Sequence, residues 1–197
     1  DAALLGRREW AKLDDLGHAA GTPTSTTSLA LQRLHSIGAT ERRRGGGLTT
    51  VNPEKIVLML AAWRNLAHDT ITRTTLEAIE PWLDSSRGPY ALGGSNAAVT
   101  YISGVAGRNT VSSHPTRLVY LPKRAEVEDL PAGNDVIVLR MDDRAEFDWY
   151  DGITSRAQTY ADLFALPGWQ AEEFRRALHR VLFPAAAWES SVESLRG

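Results

Sequence analysis

Two stretches of the chain hold side chains whose types and spacing could do chemistry. In Ser25–Arg44, STTSLALQRLHSIGATERRR, the polar residues Ser25, Thr26, Ser28, Gln32, Arg33 and His35 share one side of a helical repeat. Small hydroxyls early in a helix approach phosphates and base edges closely, and Gln and Arg carry forked groups that match adenine and guanine edges. Arg42, Arg43 and Arg44 follow directly, beside Gly45-Gly46-Gly47. Such a basic tip is suited to a phosphate backbone or an adjacent minor groove.

The second stretch is Gly93-Gly94-Ser95, ahead of a small-residue helical run. Backbone amides at a helix start can hold a phosphate, as in nucleotidyltransferases; equally, two glycines permit close packing against a sheet. Metal-assisted phosphoryl transfer also needs carboxylates alternating on a following strand so that both face one Mg²⁺. The strand candidate Arg117–Leu121 has none, and Asp142 and Asp143, beyond the strand candidate Asp135–Met141, are adjacent and point to opposite faces of an extended chain. There is no cysteine, which excludes disulfides, thiolate catalysis and cysteine-based zinc sites, and the five histidines lie too far apart for a metal spacing. DNA binding without a cofactor, metal or catalytic residues is therefore the expectation. A divergent nucleotidyltransferase-like enzyme using Gly93-Gly94-Ser95 is the alternative.

The elements that must position the first stretch are short. Arg8–Lys12 with Leu13, Leu16, Ala19 and Ala20 reads as one helix closed by Gly21, and Thr22-Pro23-Thr24 as a turn after which Thr24 or Ser25 caps a second helix. Leu31, Leu34 and Ile37, completed by Thr27 or Ala30, form its inward face. Gly38 ends it, and Ala39–Arg44 and Leu48–Val51 form a hairpin around the three glycines. Helix, turn, helix and basic hairpin in this order are a winged helix-turn-helix pattern.

Beyond it, Asn52-Pro53-Glu54 starts a helix expected to run through Trp63, in the core, to Ala67. Thr74-Thr75-Leu76-Glu77 starts another through Ile79 and Leu83, kinked or broken at Pro81, and Asp84–Pro89 is a loop. Ser95 is read as the cap of a helix over Asn96–Ile102. A further helix halts at Pro167-Gly168, and Glu172–Phe183 has Phe174, Leu178, Val181 and Leu182 inward with Arg175, Arg176 and Arg180 outward. The tail after Pro184 is marginal.

The expected fold class is α+β. Residues 1–73 would be a winged helix-turn-helix domain with its following helix, 74–88 a connecting helix and loop, and 89–197 a mixed α/β domain. Charge follows this division: residues 1–73 carry ten Lys/Arg against seven Asp/Glu, so the net −2 of the chain is +3 there and −5 in the remainder. The basic part is the one suited to phosphate. No apolar run approaches the roughly 20 residues of a membrane span and no signal-peptide layout opens the chain, so the expected setting is cytoplasmic, on the nucleoid. Trp82, Tyr90, Tyr101, Tyr120, Trp149, Tyr150, Tyr160 and Trp169 supply core for the second part, or the lining of a small-molecule effector pocket.

Two resemblances accompany these readings. Residues 13–51, through RLHSIGATERRRGG, resemble bacterial winged helix-turn-helix regulators, which implies binding to double-stranded DNA. YALGGSNAAVTY and SRAQTYADLFALPGW, separated by two strands, are similar to the C-terminal domain of AbiEi-family antitoxins of type IV toxin-antitoxin pairs. That similarity implies a repressor acting on repeats in its own promoter and, in true antitoxins, a partner nucleotidyltransferase toxin.

Overall fold

The computed structural model describes residues 1–85, 89–104, 116–122, 127, 130–141, 149 and 152–184. Asp142-Asp143, residues 86–88 of the loop expected over Asp84–Pro89, and the tail from 185 lie outside the described residues, and Asp84 and Ser85 belong to a helix rather than to that loop. Among those described, eight helices and two sheets make an α+β chain. It divides into two compact units, Asp1–Leu60 and Ala61–Gly197.

In the first unit, strand β1 (Glu9–Trp10) precedes helices α1 (Leu13–Ala19) and α2 (Thr24–Ser36), strands β2 (Thr40–Arg42) and β3 (Leu48–Thr50), and the start of α3 (Pro53–Trp63). The sheet is antiparallel in the order β1-β3-β2, with Trp10 opposite Leu48 and Arg42 opposite Leu48 on the other side. Trp10, Leu31 and Leu48 form the core, with Leu13, Leu16 and Leu34 packed on it. Both helices end as their glycines indicate. Gly21 (φ 58°) donates to His18 O and Thr22 to Gly17 O; Gly38 (φ 66°) donates to His35 O and Ala39 to Leu34 O. Each end is thus a Schellman pair of hydrogen bonds, which needs a left-handed residue at that place.

Three local expectations are corrected here. Helix α1 starts at Leu13 rather than Arg8, because Glu9 and Trp10 pair with β3, and Asp15 accepts from Lys12 N at 3.1 Å at the helix start. Neither Thr24 nor Ser25 caps α2: the cap position is Pro23, and Thr24 donates its hydroxyl to Asp14 Oδ1 at 2.6 Å. Ile37 is 39% exposed, since it lies past the last helical turn.

Helix α3 begins as expected, with Asn52 Oδ1 accepting from Lys55 N at 3.0 Å. It stops at Trp63, which is 71% exposed rather than in the core. A short helix α4 (Leu66–Asp69) and strand β4 (Thr70–Thr74) follow where one continuous helix was expected through Ala67. Asn65 starts α4 by accepting from Ala67 N.

The second unit continues with α5 (Leu76–Ser85), β5 (Ala91–Gly93), α6 (Gly94–Ser103), β6 (Arg117–Leu121), β7 (Val136–Arg140), α7 (Arg156–Ala165) and α8 (Trp169–Leu182). Helix α5 runs through Pro81 without a break. The sheet order is β4-β7-β6-β5; β6 and β7 are parallel and both outer pairings are antiparallel. The two central strands read as continuous apolar runs because both of their faces are covered. Val119, Leu121, Val136 and Val138 meet Ile79 of α5, while Tyr120, one residue out of step, turns to the face that carries α7. Ser155 Oγ accepts from Gln158 N to start α7, and Gly168 (φ 103°) separates it from α8. In α8, Leu178 is buried as expected, but Val181 is 47% exposed and Arg175 turns inward to Tyr160 Oη at 2.6 Å. Among the described residues no helix is long and apolar enough to cross a membrane.

Candidate nucleic-acid interface

Helix α2 is held against α1 by a hydroxyl-rich crossing. Gly17 is buried, and a Cβ placed there would lie 3.0 Å from Thr22 O and 3.2 Å from Thr27 Oγ1. Thr27 is buried beside it, its hydroxyl 2.8 Å from that of Thr22 and 3.1 Å from Pro23 O. A small residue on α1 and a hydroxyl that bonds its own backbone let the two helices approach closely. Burial of Thr27 and Leu31 fixes the rotation of α2 and leaves the opposite side to solvent.

That solvent side carries Ser25, Thr26, Gln32 and Arg33, all exposed, with Ser28 half-buried at its border. His35 is corrected. It is half-buried, with Nδ1 2.8 Å from Thr40 O and 2.9 Å from Thr40 Oγ1, and so belongs to the junction between α2 and β2. Leu29 was missed. It lies four residues after Ser25 and four before Arg33 and is 65% exposed, an apolar side chain in the middle of the polar face. A leucine whose two neighbours at helical spacing are polar was the available signal.

The hairpin brings the arginine triplet to a turn. Arg43 N donates to Gly47 O at 2.9 Å and Gly46 N to Arg43 O at 3.2 Å, so β2 ends at Arg42 and Arg44 occupies the turn itself. The three glycines serve two different needs. Gly45 (φ 98°) and Gly46 (φ 92°) hold left-handed backbone with open space around them. Gly47 is there for contact: a Cβ would lie 2.6 Å from Trp10 O and 2.9 Å from Ala11 O. All three arginines are exposed, but they are not equivalent, because Arg43 Nη1 donates to Glu9 Oε2 at 2.6 Å. Arg42 and Arg44 make no ion pair among the described residues.

At the other end of α2, Lys55 Nζ donates to Ile37 O at 2.7 Å, placing a positive charge where the helix carbonyls are left unpaired.

The Gly93-Gly94-Ser95 stretch lies in the second unit and is packed tight. A Cβ on Gly93 would lie 2.8 Å from the Tyr120 ring and 3.1 Å from Asp162 Oδ2, and Gly94 (φ 59°) sits against Leu118 and Leu166. Ser95 is buried inside α6 rather than capping it; the cap position is Gly93. Close packing thus accounts for both glycines.

What Gly93 packs against is a polar cluster that sequence spacing did not reveal. Asp162 has no exposed surface; it accepts from Arg64 Nε at 2.9 Å, Gln158 Nε2 at 2.9 Å and Tyr120 Oη at 2.7 Å. Arg64 also donates to Tyr120 Oη at 2.8 Å and to Asp69, and Trp149 meets the Tyr120 ring edge to face at 4.9 Å. Burial pushes the Asp162 carboxyl above its ordinary range, and the Arg64 guanidinium with the Tyr120 and Gln158 donors opposes this. Burial beside Asp162 likewise holds the Tyr120 hydroxyl well above its usual range. Since every partner of Asp162 is a donor, the cluster reads as a satisfied ion pair that ties α7 to β6 and to the end of α3.

Comparison with protein-family models, curated proteins and solved structures gives no match to this chain.

Proposed function

We propose that residues 1–60 are a winged helix-turn-helix that binds double-stranded DNA, and that the chain is a transcriptional regulator, a repressor in the simplest case. One observation carries this reading: the same small unit presents the outward side of α2, with Ser25, Thr26, Leu29, Gln32 and Arg33, and a hairpin that exposes Arg42 at the end of β2 and Arg44 in the turn. Helix α2 would enter the major groove, where Gln32 and Arg33 read base edges and Leu29 meets thymine methyl groups. Arg42 and Arg44 would hold the flanking backbone or minor groove. The uncapped first turn of α2, with Ser25 and Thr26, suits a phosphate.

The second unit would then regulate. The packing role of Gly93 and Gly94 supports a non-catalytic reading of it. The resemblance of YALGGSNAAVTY and SRAQTYADLFALPGW to AbiEi antitoxins extends the proposal to a nucleotidyltransferase toxin as a protein partner. Selection from a random duplex library tests the DNA reading: enrichment of one motif, usually repeated, is the expected result, and a library unchanged after repeated rounds would refute sequence-specific binding. Growth rescue on co-expression with a neighbouring nucleotidyltransferase tests the antitoxin extension separately.

A further inference from the structure

Helix α2 carries one apolar side chain in the middle of a hydrogen-bonding face. At about 100° per residue, Leu29 lies diametrically opposite the midpoint of Thr27 and Leu31, the two buried positions of this helix. It is therefore at the centre of the outward side, where it is 65% exposed. Its neighbours at helical spacing are Ser25, Thr26, Gln32 and Arg33. A lone exposed leucine is ordinary on a protein surface; what sets this one apart is its place among four hydrogen-bonding side chains.

The charge of the outward side favours a polyanion as the partner. Helix α2 contains no aspartate or glutamate, and Arg42 and Arg44 of the same unit are exposed and make no ion pair among the described residues. A protein partner would ask for a cluster of apolar side chains at the interface core, whereas Leu29 has only polar neighbours on its face. In the major groove, the apolar feature that a leucine can meet is the methyl group at C5 of a pyrimidine. Thymine carries it, cytosine does not, and 5-methylcytosine carries it at the same ring position. The hydroxyls of Ser25 and Thr26, one turn before Leu29, donate as well as accept, so they serve the O4 of thymine and the N4 amine of cytosine alike. Beside Leu29, discrimination thus falls on the methyl group and not on the hydrogen-bonding edge.

We infer that Leu29 reads the C5 methyl group, so that methylation of a cytosine at the contacted position strengthens binding and an unmethylated cytosine there is rejected. DNA methylation is then an input to the regulator alongside sequence. The inference rests on the proposed entry of α2 into the major groove and adds to it the chemical state of the base.

Fluorescence anisotropy of the full chain on duplexes selected from a random library, altered at one pyrimidine at a time, tests it. Two comparisons differ by one methyl group alone: thymine against deoxyuridine in a T·A pair, and 5-methylcytosine against cytosine in a C·G pair set at the same position. At one position in the bound site, the methylated member of each comparison is expected to bind about fourfold tighter, the value of one buried methyl group. Leu29→Ala, checked for folding by circular dichroism, should bring both ratios to about one while retaining salt-dependent binding. Leu29→Gln, which keeps a helix-forming stem and removes the apolar tip, serves in its place if the alanine variant does not fold. Saturable binding with no methyl-dependent position, or ratios that persist unchanged in the Leu29 variants, would overturn the inference and leave the DNA reading standing. Absence of saturable binding to any duplex would overturn both.

Discussion

Arg43 Nη1 donates to Glu9 Oε2 at 2.6 Å, joining the hairpin turn to the strand that precedes the first helix. The contact divides an arginine triplet that looks uniform in sequence, because one of the three charges is already facing a carboxylate. Releasing it should strengthen binding: Glu9→Gln is expected to raise DNA affinity and steepen its salt dependence by up to about 0.9 in log–log slope, the value of one additional phosphate contact. Fluorescence anisotropy at several salt concentrations measures this. A Glu9→Gln protein with lower affinity would show that the pair orients the turn instead.

On α2, the exposed positions proposed to read base edges and the buried packing positions fall on different faces and should separate experimentally. Gln32→Ala is expected to lose about 1–3 kcal/mol of discrimination against a wrong base while retaining non-specific binding. Leu29→Ala should narrow the preference for thymine-containing sites and change folding stability by no more than about 0.5 kcal/mol, because the side chain is exposed. Leu31→Ala, two residues on and buried, should cost about 2–5 kcal/mol of stability. Specificity profiles and urea unfolding distinguish the three variants.

In the hairpin, Gly47→Ala should be worse than its backbone conformation alone suggests. The added Cβ meets two carbonyl oxygens of the Trp10–Ala11 segment at 2.6 and 2.9 Å, and backbone cannot swing aside as a flexible side chain does. A loss of about 1–3 kcal/mol is expected from this overpacking, read as a lowered Tm of the first unit. An unchanged Tm would mean that β1 is not held where it lies.

In the second unit, Arg64→Ala should cost about 3–5 kcal/mol, since it strands a carboxylate that has no exposed surface. The pH dependence gives the sign. Burial already raises the Asp162 pKa, and removing the opposing guanidinium raises it further. A folded-state pKa above the unfolded one gives stability that is greatest below the ordinary carboxylate range, near pH 4, and is lost as pH rises. The variant should therefore regain stability on acidification relative to the unaltered chain, as followed by thermal unfolding from neutral to mildly acid pH.

Glu172 behaves in the opposite sense. Arg175 and Arg176 bond its carboxylate at 2.7–2.8 Å and hold its pKa down, from 4.5 to about 2. A depressed carboxylate pKa gives stability that is present above pH 4.5 and fades as pH falls toward 2. Carbon-detected NMR should find Glu172 titrating near the lower value, and Arg175→Gln should move it back toward the ordinary one.

Much of this fold is readable in sequence where the signal is local. Gly21 and Gly38 mark helix ends because only a residue tolerant of positive φ completes the Schellman hydrogen bonds, and Asn52-Pro53-Glu54 marks a start because cap, ring and acid occur in order. Nonlocal pairing is harder to read. Strand β1 is two residues long and exists through its partner β3, some forty residues on, so Arg8–Lys12 passes for helix. Strand β4 depends in the same way on β7. The candidate site shows the same limit: the exposed positions of α2 follow from helical spacing, whereas the Arg43–Glu9 pair, the inward turn of His35 and the Arg64–Asp162 cluster join residues that no spacing rule connects.

The central claim concerns the first unit and the duplex, and the salt dependence of binding by the unaltered chain and the Arg42→Ala/Arg44→Ala double variant tests it most directly. Saturable binding of the unaltered chain to a selected duplex is expected, with log affinity falling linearly with log salt and a slope reduced by about 1.8 in the double variant, two phosphate contacts fewer. Absence of saturable binding at low salt, or the same affinity and slope in both proteins, would contradict it.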